Sequence, residues 1–532
     1  DAIGDQRPTA LIGVDPSDPT AETPVTFDTR TAGEVDSYDW DLTGDGTVDA
    51  TGPSVTRTFE TPGEQGVTLT VAGPDGQTTV SRRVQIDPQR HWLVEIGSSE
   101  LLPVGSSPTV VDGTVYAVGR DSTLYALSGE TGEQVWTVAL DSGTESSPVV
   151  VDGRVFVGSS DSSVYAFAAD SGDQEWAFET GGPVQSSPTV VDGTVFVGSS
   201  DGRVYALGAA SGDQEWTVEL GDTISSSPTV DGDTVLVGDE SGTVAALVAQ
   251  SGGRIWTVDL PAGVRSSPTV ADRTPVVGTR NGTVYALDIT SGKQEWTFET
   301  GDSVQSSPTA LDRRVYVGSD DGTLYALRTD SGEQAWAFET GGQVRSSPTV
   351  VDGRVYVGSD DGTLYALAAE TGDLVWSIET DRPVRSSPIV EAGTLYVEVD
   401  DGISAIAVGV DGSSEGSRAN LGTLGHPGDW RYAGQELGGG SGEDTDGDDG
   451  ENGNGTGGDD EGTGSAEDTD GDDGENGNGT GGDDEGTGGG GNSESADGED
   501  GSGPGFGAGA ALAALGGASL LGWRRTHTDD ES

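Results

Sequence analysis

Along most of the chain, short apolar runs alternate with polar pairs that contain glycine. Residues 346–380, SSPTVVDGRVYVGSDDGTLYALAAETGDLVWSIET, show the pattern in one unit. Four runs rich in Val, Tyr, Leu and Trp are separated by Asp352-Gly353, Asp361-Gly362 and Thr371-Gly372. Apolar residues at every second position put one face of a strand inward, and Asp-Gly pairs tolerate the positive φ of a tight hairpin turn. The spacing predicts four antiparallel strands per unit.

The unit recurs every forty residues without insertion or deletion. Ser-Ser-Pro ends at Pro108, Pro148, Pro188, Pro228, Pro268, Pro308, Pro348 and Pro388. Tryptophan stands at Trp136, Trp176, Trp216, Trp256, Trp296, Trp336 and Trp376, each ten residues after an alanine (Ala126 to Ala366). Four strands per forty-residue unit, stacked radially, predict a β-propeller. The eighth unit, residues 386–408, stops after its third strand, and the missing tryptophan lies upstream as Trp92 in HWLVEIG. Residues 91–96 are expected to complete the eighth blade and close the ring, because an open ring would expose strand edges.

Flanking segments have other textures. Residues 1–6 form a short tail. Residues 7–88 carry alternating strands with turn signals every eight to twelve positions, the pattern of a β-sandwich with Trp40 as its core anchor. Asp41, Asp45 and Asp49 admit two readings, an oxygen cluster for Ca²⁺ or a polar turn, since their spacing is four rather than two. Residues 89–409 hold the propeller and 410–437 an irregular extension. Residues 438–503 contain almost only Gly, Asp, Glu, Asn, Ser and Thr, with a 22-residue block at 443 repeated at 467. Such a segment has nothing to bury and is expected to be a disordered, charge-extended spacer. Three Asn-Gly-Thr sequons, at Asn281, Asn454 and Asn478, are glycosylation candidates.

Composition narrows the chemistry. The 532 residues include 92 acids and 25 bases, a formal charge of −67. Of these acids 22 lie in residues 443–500, so the remainder still carries −67 + 22 = −45. Nucleic-acid binding rests on cations displacing counterions, so DNA or RNA is excluded as the main partner. With no cysteine there is no disulfide, thiolate metal site or cysteine nucleophile, and three distant histidines (His91, His426, His527) offer no cluster. The single lysine, Lys293, among 24 arginines resembles proteins of extreme halophiles. At about 1 M salt the Debye length is about 3 Å, which would screen this charge. The chain begins at Asp1 and lacks methionine, which reads as a processed or truncated product whose export signal is not in view.

AFAADSGDQEW (166–176) and ALAAETGDLVW (366–376) resemble the tryptophan-docking motif of quinoprotein-type, PQQ-like eight-bladed propellers. That resemblance implies that Trp92 and the seven later tryptophans pack between blades, and that glycine makes the third hairpin turn. The motif's aspartate two residues after the alanine survives only as Asp288, which is expected to loosen docking without changing the fold. Quinoprotein dehydrogenases hold PQQ and Ca²⁺ on loops inserted between blades, commonly beside a vicinal disulfide. Here there is no insertion and no cysteine, so neither a catalytic residue nor a PQQ site is expected. The repeated Asp-Gly pairs read as turns and the repeated serines as a structural strand start.

One repeat position varies in charge. Before each Ser-Ser-Pro stand Gly105, Glu145, Gln185, Ser225, Arg265, Gln305, Arg345 and Arg385. The family topology places them on the rim of the central funnel. Arg265, Arg345 and Arg385 form either an anion-binding patch or inter-blade salt bridges to residues such as Glu179 or Asp302.

SYDWDLTGDG followed by TRTFETPGEQGVTLTV resembles a PKD domain, an immunoglobulin-like module of extracellular surface proteins. At the other end, residues 506–523 are uncharged and mostly small and apolar, about 27 Å long as a helix. Arg524 and Arg525 then mark a cytoplasmic flank. Pro504-Gly505-Phe506, the apolar stretch and the twin arginine resemble the PGF-type archaeal sorting signal, which implies cleavage and lipid attachment by an archaeosortase. An uncleaved tail anchor gives the same topology. The expected protein is a noncatalytic recognition or scaffolding molecule on the outer face of a haloarchaeal membrane, with other surface proteins or glycans as partners. A PQQ-dependent dehydrogenase and a purely structural component of the surface layer are the alternatives.

Overall fold

Hairpin chemistry shapes each blade of the computed structural model, which describes residues 7–96, 106–399, 402–410 and 412–414. In blade seven the strands Thr349–Val351, Arg354–Gly358, Thr363–Ala368 and Leu374–Glu379 pair in sequence order as an antiparallel sheet. Asp352 and Gly353 take φ of 47° and 70°, and Gly362 and Gly372 take 82° and 77°, as the turn residues require. Seven such sheets follow the forty-residue frame.

The eighth closes the ring as expected. Ile389–Glu391, Thr394–Val399 and Gly402–Ala407 are joined by Arg90–Glu95, with Trp92 opposite Ala405. The strand starts one residue earlier than the sequence suggested. The same Ala–Trp pairing, with a bulge one residue on, recurs in every blade, for example Ala126 with Trp136.

Two devices join the blades. On the axis, the second serine of each triplet donates its backbone N–H to the hydroxyl of the second serine in the next. Ser107 donates to Ser147 at 2.8 Å, and the series runs on until Ser387 donates to Ser107 at 2.9 Å. All eight bonds are present, a closed ring of side chain to backbone contacts. Near the perimeter, seven of the eight tryptophan indoles, all but Trp376, lie on the third-turn glycine of the next blade. A Cβ added to Gly372 would stand 2.7 Å from the Trp336 ring, so the position needs glycine for space as well as for its φ. Indole N–H groups then donate to the next blade's backbone, as Trp136 does to Ala169 O at 2.9 Å. Asp288 accepts from the Thr290 and Ser291 hydroxyls, and Trp256 in front of it docks like the others, donating to Ile289 O at 2.8 Å. Trp256 thus makes the same bond to backbone as Trp136, whose next blade lacks that aspartate.

The N-terminal module is a two-sheet sandwich. Strands β1 (Thr9–Asp15), β2 (Pro24–Ala32) and β5 (Ser54–Thr58) face β4 (Ala50–Thr51), β3 (Ser37–Asp41), β6 (Gly63–Gly73) and β7 (Gly76–Ile86). Trp40 is fully buried between them against Phe27, and its indole donates to Gly52 O. Sandwich and propeller belong to one compact unit. The Thr61 hydroxyl donates to Gly409 O at 3.1 Å, and Gln85 and Arg354 make further bonds across the boundary.

All described elements are strands. Among the described residues no helix is long and apolar enough to cross a membrane. The spacer, the apolar stretch 506–523, Pro504, Gly505, Phe506, Arg524, Arg525, Asn454 and Asn478 lie outside the described residues.

Candidate functional site

The residue before each Ser-Ser-Pro is carried by the loop from the outer strand of one blade to the inner strand of the next. Forty-residue symmetry brings these residues to one mouth of the axial channel. A cavity of about 170 Å³ opens there, lined by the second serines and by Glu145, Gln185, Ser225, Arg265, Gln305, Arg345 and Arg385. The predicted rim is therefore a physical ring; Gly105 lies outside the described residues.

The three rim arginines are paired, and not with the partners the sequence suggested. Arg265 Nη2 meets Glu145 Oε2 at 2.9 Å, although 120 residues, or three blades, separate them. This pair reaches over the axis. Arg345 Nε bonds Asp320 Oδ1 at 2.9 Å and its Nη1 reaches Asp360 Oδ2 at 3.4 Å. Arg385 grips Asp360 with Nε and Nη2 at 2.8 and 3.0 Å. The hydrogen bond to Asp360 raises the Arg385 pKa above its ordinary value, burial opposing it. Gln305 adds a bond to Asp320 at 2.6 Å. Glu179 and Asp302 make none of these ion pairs, because they belong to outer-strand ends and loop backbone rather than the rim. Asp320 and Asp360 were missed in the sequence. The available signal was their place fifteen residues after Gln305 and Arg345, in the second hairpin turn, which returns to the same face.

Two further pairs stand beside the mouth, Arg280 with Glu240 at 2.8 Å and Arg120 with Glu398 at 3.6 Å. Positive charge here is thus matched locally, the arrangement of the inter-blade ion-pair alternative for Arg265, Arg345 and Arg385. Seven of the eight first serines are likewise committed, and the Ser346 hydroxyl is buried without a partner among the described residues. Ser186 Oγ donates to Gly198 O and accepts from Gly198 N, at 2.9 and 2.8 Å. Among the described residues no histidine lies near them to activate a hydroxyl.

PQQ is a flat tricyclic tricarboxylate, so a site for it needs a planar apolar face and cations free to meet carboxylates. The lining holds serine, glutamine, glutamate and arginine, with no ring to stack. Its arginines already hold Glu145, Asp320 and Asp360. These residues do not fit the cofactor.

In the sandwich, Asp41 and Asp49 converge, but on backbone. Asp41 accepts from Gly44 N at 2.7 Å and Gly46 N at 2.9 Å, and Asp49 accepts from Leu42 N at 2.6 Å. Asp45 turns away to Thr47, whose hydroxyl holds its carboxyl below the usual range. The loop matches the polar-turn reading, and no group of three or more acids or histidines among the described residues is arranged for a metal ion. Asn281 is exposed in the second turn of blade five, with its Oδ1 accepting from Thr279 Oγ1 at 2.6 Å.

A family profile described as outer membrane protein assembly factor BamB matches residues 71–214, 180–248, 240–348 and 339–434. A PKD domain profile matches residues 5–87. Similar solved structures include BamB from Moraxella catarrhalis, at 20% identity and TM-score 0.51, covering 59% of this chain and 99% of that one. The computationally designed Ika8 protein gives 16% identity and TM-score 0.53, with 59% and 99% covered. Quinohemoprotein alcohol dehydrogenase from Comamonas testosteroni gives 17% identity and TM-score 0.52, with 61% and 77% covered. These likenesses concern the fold. No curated protein matches the chain.

Proposed function

The chain belongs to the PQQ-like repeat propeller family described as outer membrane protein assembly factor BamB, and from that membership we propose a noncatalytic recognition or scaffolding protein of the cell surface. The reading is carried by the Arg265–Glu145 pair, which spans the mouth where a quinoprotein would seat its cofactor. A mouth built from matched ion pairs and committed serines offers a rigid, polar surface and no activated nucleophile. The PKD module fits the same reading, as does a C-terminal segment, 504–532, that attaches the protein to the membrane by its apolar stretch or by a lipid that replaces it. The partners in this reading are other surface proteins or glycans on the outer face.

The test is affinity capture from native membranes in molar salt, comparing wild type with Arg345→Ala/Arg385→Ala. Retention of a discrete partner by wild type, without PQQ-dependent dye reduction, is expected. Dye reduction that follows added PQQ would overturn the proposal.

A further inference from the structure

The repeat makes departures easy to locate, and one set gathers on the face opposite the mouth. The first and third hairpin turns of every blade lie at that end. Five blades close the first turn with glycine in the left-handed region, such as Gly153 (φ 73°) and Gly353 (φ 70°). Blades five and six put arginine there instead, Arg273 at φ 69° and Arg313 at φ 61°. A side chain is disfavoured in that conformation, so both positions carry backbone strain that the repeat's own glycine avoids.

Three more cations join them. Lys293, the chain's single lysine, ends the third turn of blade five. Arg314 and Arg328 are cross-strand partners in blade six. Trp296, three residues beyond Lys293, donates to Thr329 O, which brings the lysine's strand against the segment holding Arg328. Arg273, Lys293, Arg313 and Arg328 are exposed and make no ion pair within 4 Å among the described residues, although Arg273 lies within electrostatic reach of Asp231. Arg314 donates to Glu370 O. Acids share these turns, namely Asp272, Asp288, Asp312, Asp330 and Glu333, and Asp288 is engaged by Thr290 and Ser291. Cations and acids are equal in number within these turns, with exposed Glu295 beside them on the Thr274 hydroxyl, whereas the corresponding turns of blades one to three carry Asp112, Glu130, Glu133, Asp152, Asp170 and Asp192.

Strained arginines with no internal ion pair point to an external one. We propose that this sector binds an acidic polysaccharide through its carboxylate or sulfate groups. The sector is narrow and flanked by acids, so a flexible single chain can follow it, whereas a bilayer or a nucleic-acid duplex would press on the acidic blades as well. Guanidinium groups suit this ligand, because bidentate contacts survive at salt concentrations that abolish long-range attraction. The proposal rests on the noncatalytic recognition reading and names the class of partner.

The experiment titrates the full chain with fluorescently labelled heparin and polygalacturonate in molar salt, for wild type and Arg273→Gly/Arg313→Gly. That variant restores the repeat's glycine, so its melting temperature should rise by about 1–3 °C. Its affinity should fall at least about tenfold. Unchanged affinity, or no saturable binding by wild type, overturns the proposal. So does equal or tighter binding to anionic vesicles, duplex DNA or poly-glutamate. If polysaccharide binding is absent and PQQ turnover is also absent, this surface alone is rejected. PQQ turnover by a protein that still binds the polysaccharide would reject the noncatalytic reading alone.

Discussion

The seam between blades six and seven and the seam between blades seven and eight are built from the same repeat, yet they end differently. At the first, Trp336 Nε1 and the Tyr316 hydroxyl both donate to Ala369 O, at 2.9 and 3.3 Å. At the second, Trp376 Nε1 and the Tyr356 hydroxyl are buried without a partner among the described residues. Blade eight is one residue shorter in its second hairpin, so the position of Ala369 falls on Val408, whose carbonyl takes Arg354 Nη1 at 3.3 Å, while the next carbonyl, Gly409, takes the Thr61 hydroxyl of the sandwich. Gly409 has φ 59°, and a Cβ there would stand 2.3 Å from Glu60 O. The sandwich thus docks at Gly409, one residue past the position whose carbonyl receives the indole at the other seams. Apolar packing holds this seam, where Tyr356, Trp376, Val384 and Val408 share one core.

The strongest perturbation removes what both seams depend on. Deleting residues 90–95 takes away the closing strand and its Trp92 to Gly129 bond, so the whole propeller should lose its cooperative melt. A truncated protein that still melts in one sharp calorimetric transition would show that the ring does not need closure.

Glycine substitutions separate the seams. Gly372→Ala drives a Cβ into the Trp336 ring from a left-handed backbone and should cost about 2–4 kcal/mol in denaturant titration. Gly409→Ala strikes the sandwich instead. It should split the melt into two transitions, with the propeller's transition little changed. Equal effects would mean that the sandwich is not docked through this residue.

Hydroxyl deletions sharpen the contrast further. Tyr316→Phe loses a bond to Ala369 O and should destabilise by about 0.5–1.5 kcal/mol. Tyr356→Phe removes an orphaned hydroxyl and should be neutral or stabilising, as judged from urea midpoints.

The smallest effect is alkaline. Burial pushes the Tyr356 pKa up to about 12, and Tyr125 likewise, with its bond to Asp121 adding to the shift. A raised folded-state pKa means that the contribution is complete below pH about 10 and is lost as pH rises toward about 12. Melting temperatures measured across that window should fall for wild type and fall less for Tyr356→Phe.

Much of this was legible in the sequence because a repeat writes each contact eight times. The strand count, the ring closure through Trp92 and the rim position all follow from intervals of forty. The rim's ion pairing was only half legible. Periodicity locates Arg265 on the rim, but an ion pair with Glu145 three blades away depends on funnel width, which no local pattern encodes. The choice between a calcium cluster and a polar turn was open for a similar cause, since spacing could not show that the Asp41 and Asp49 oxygens accept from turn N–H groups. The orphaned Trp376 is also invisible in sequence, since its indole sits in an unbroken series and the shortened second hairpin of blade eight shows only once Tyr396 pairs with Ala405.

The funnel mouth, lined by paired arginines and serines with no ring to stack, does not fit PQQ. Titration of the purified chain with PQQ and Ca²⁺ in molar salt, followed by absorbance and by tryptophan quenching, tests that most directly. No saturable binding and no dye reduction are predicted. Stoichiometric PQQ binding, weakened by Arg265→Ala, would contradict it.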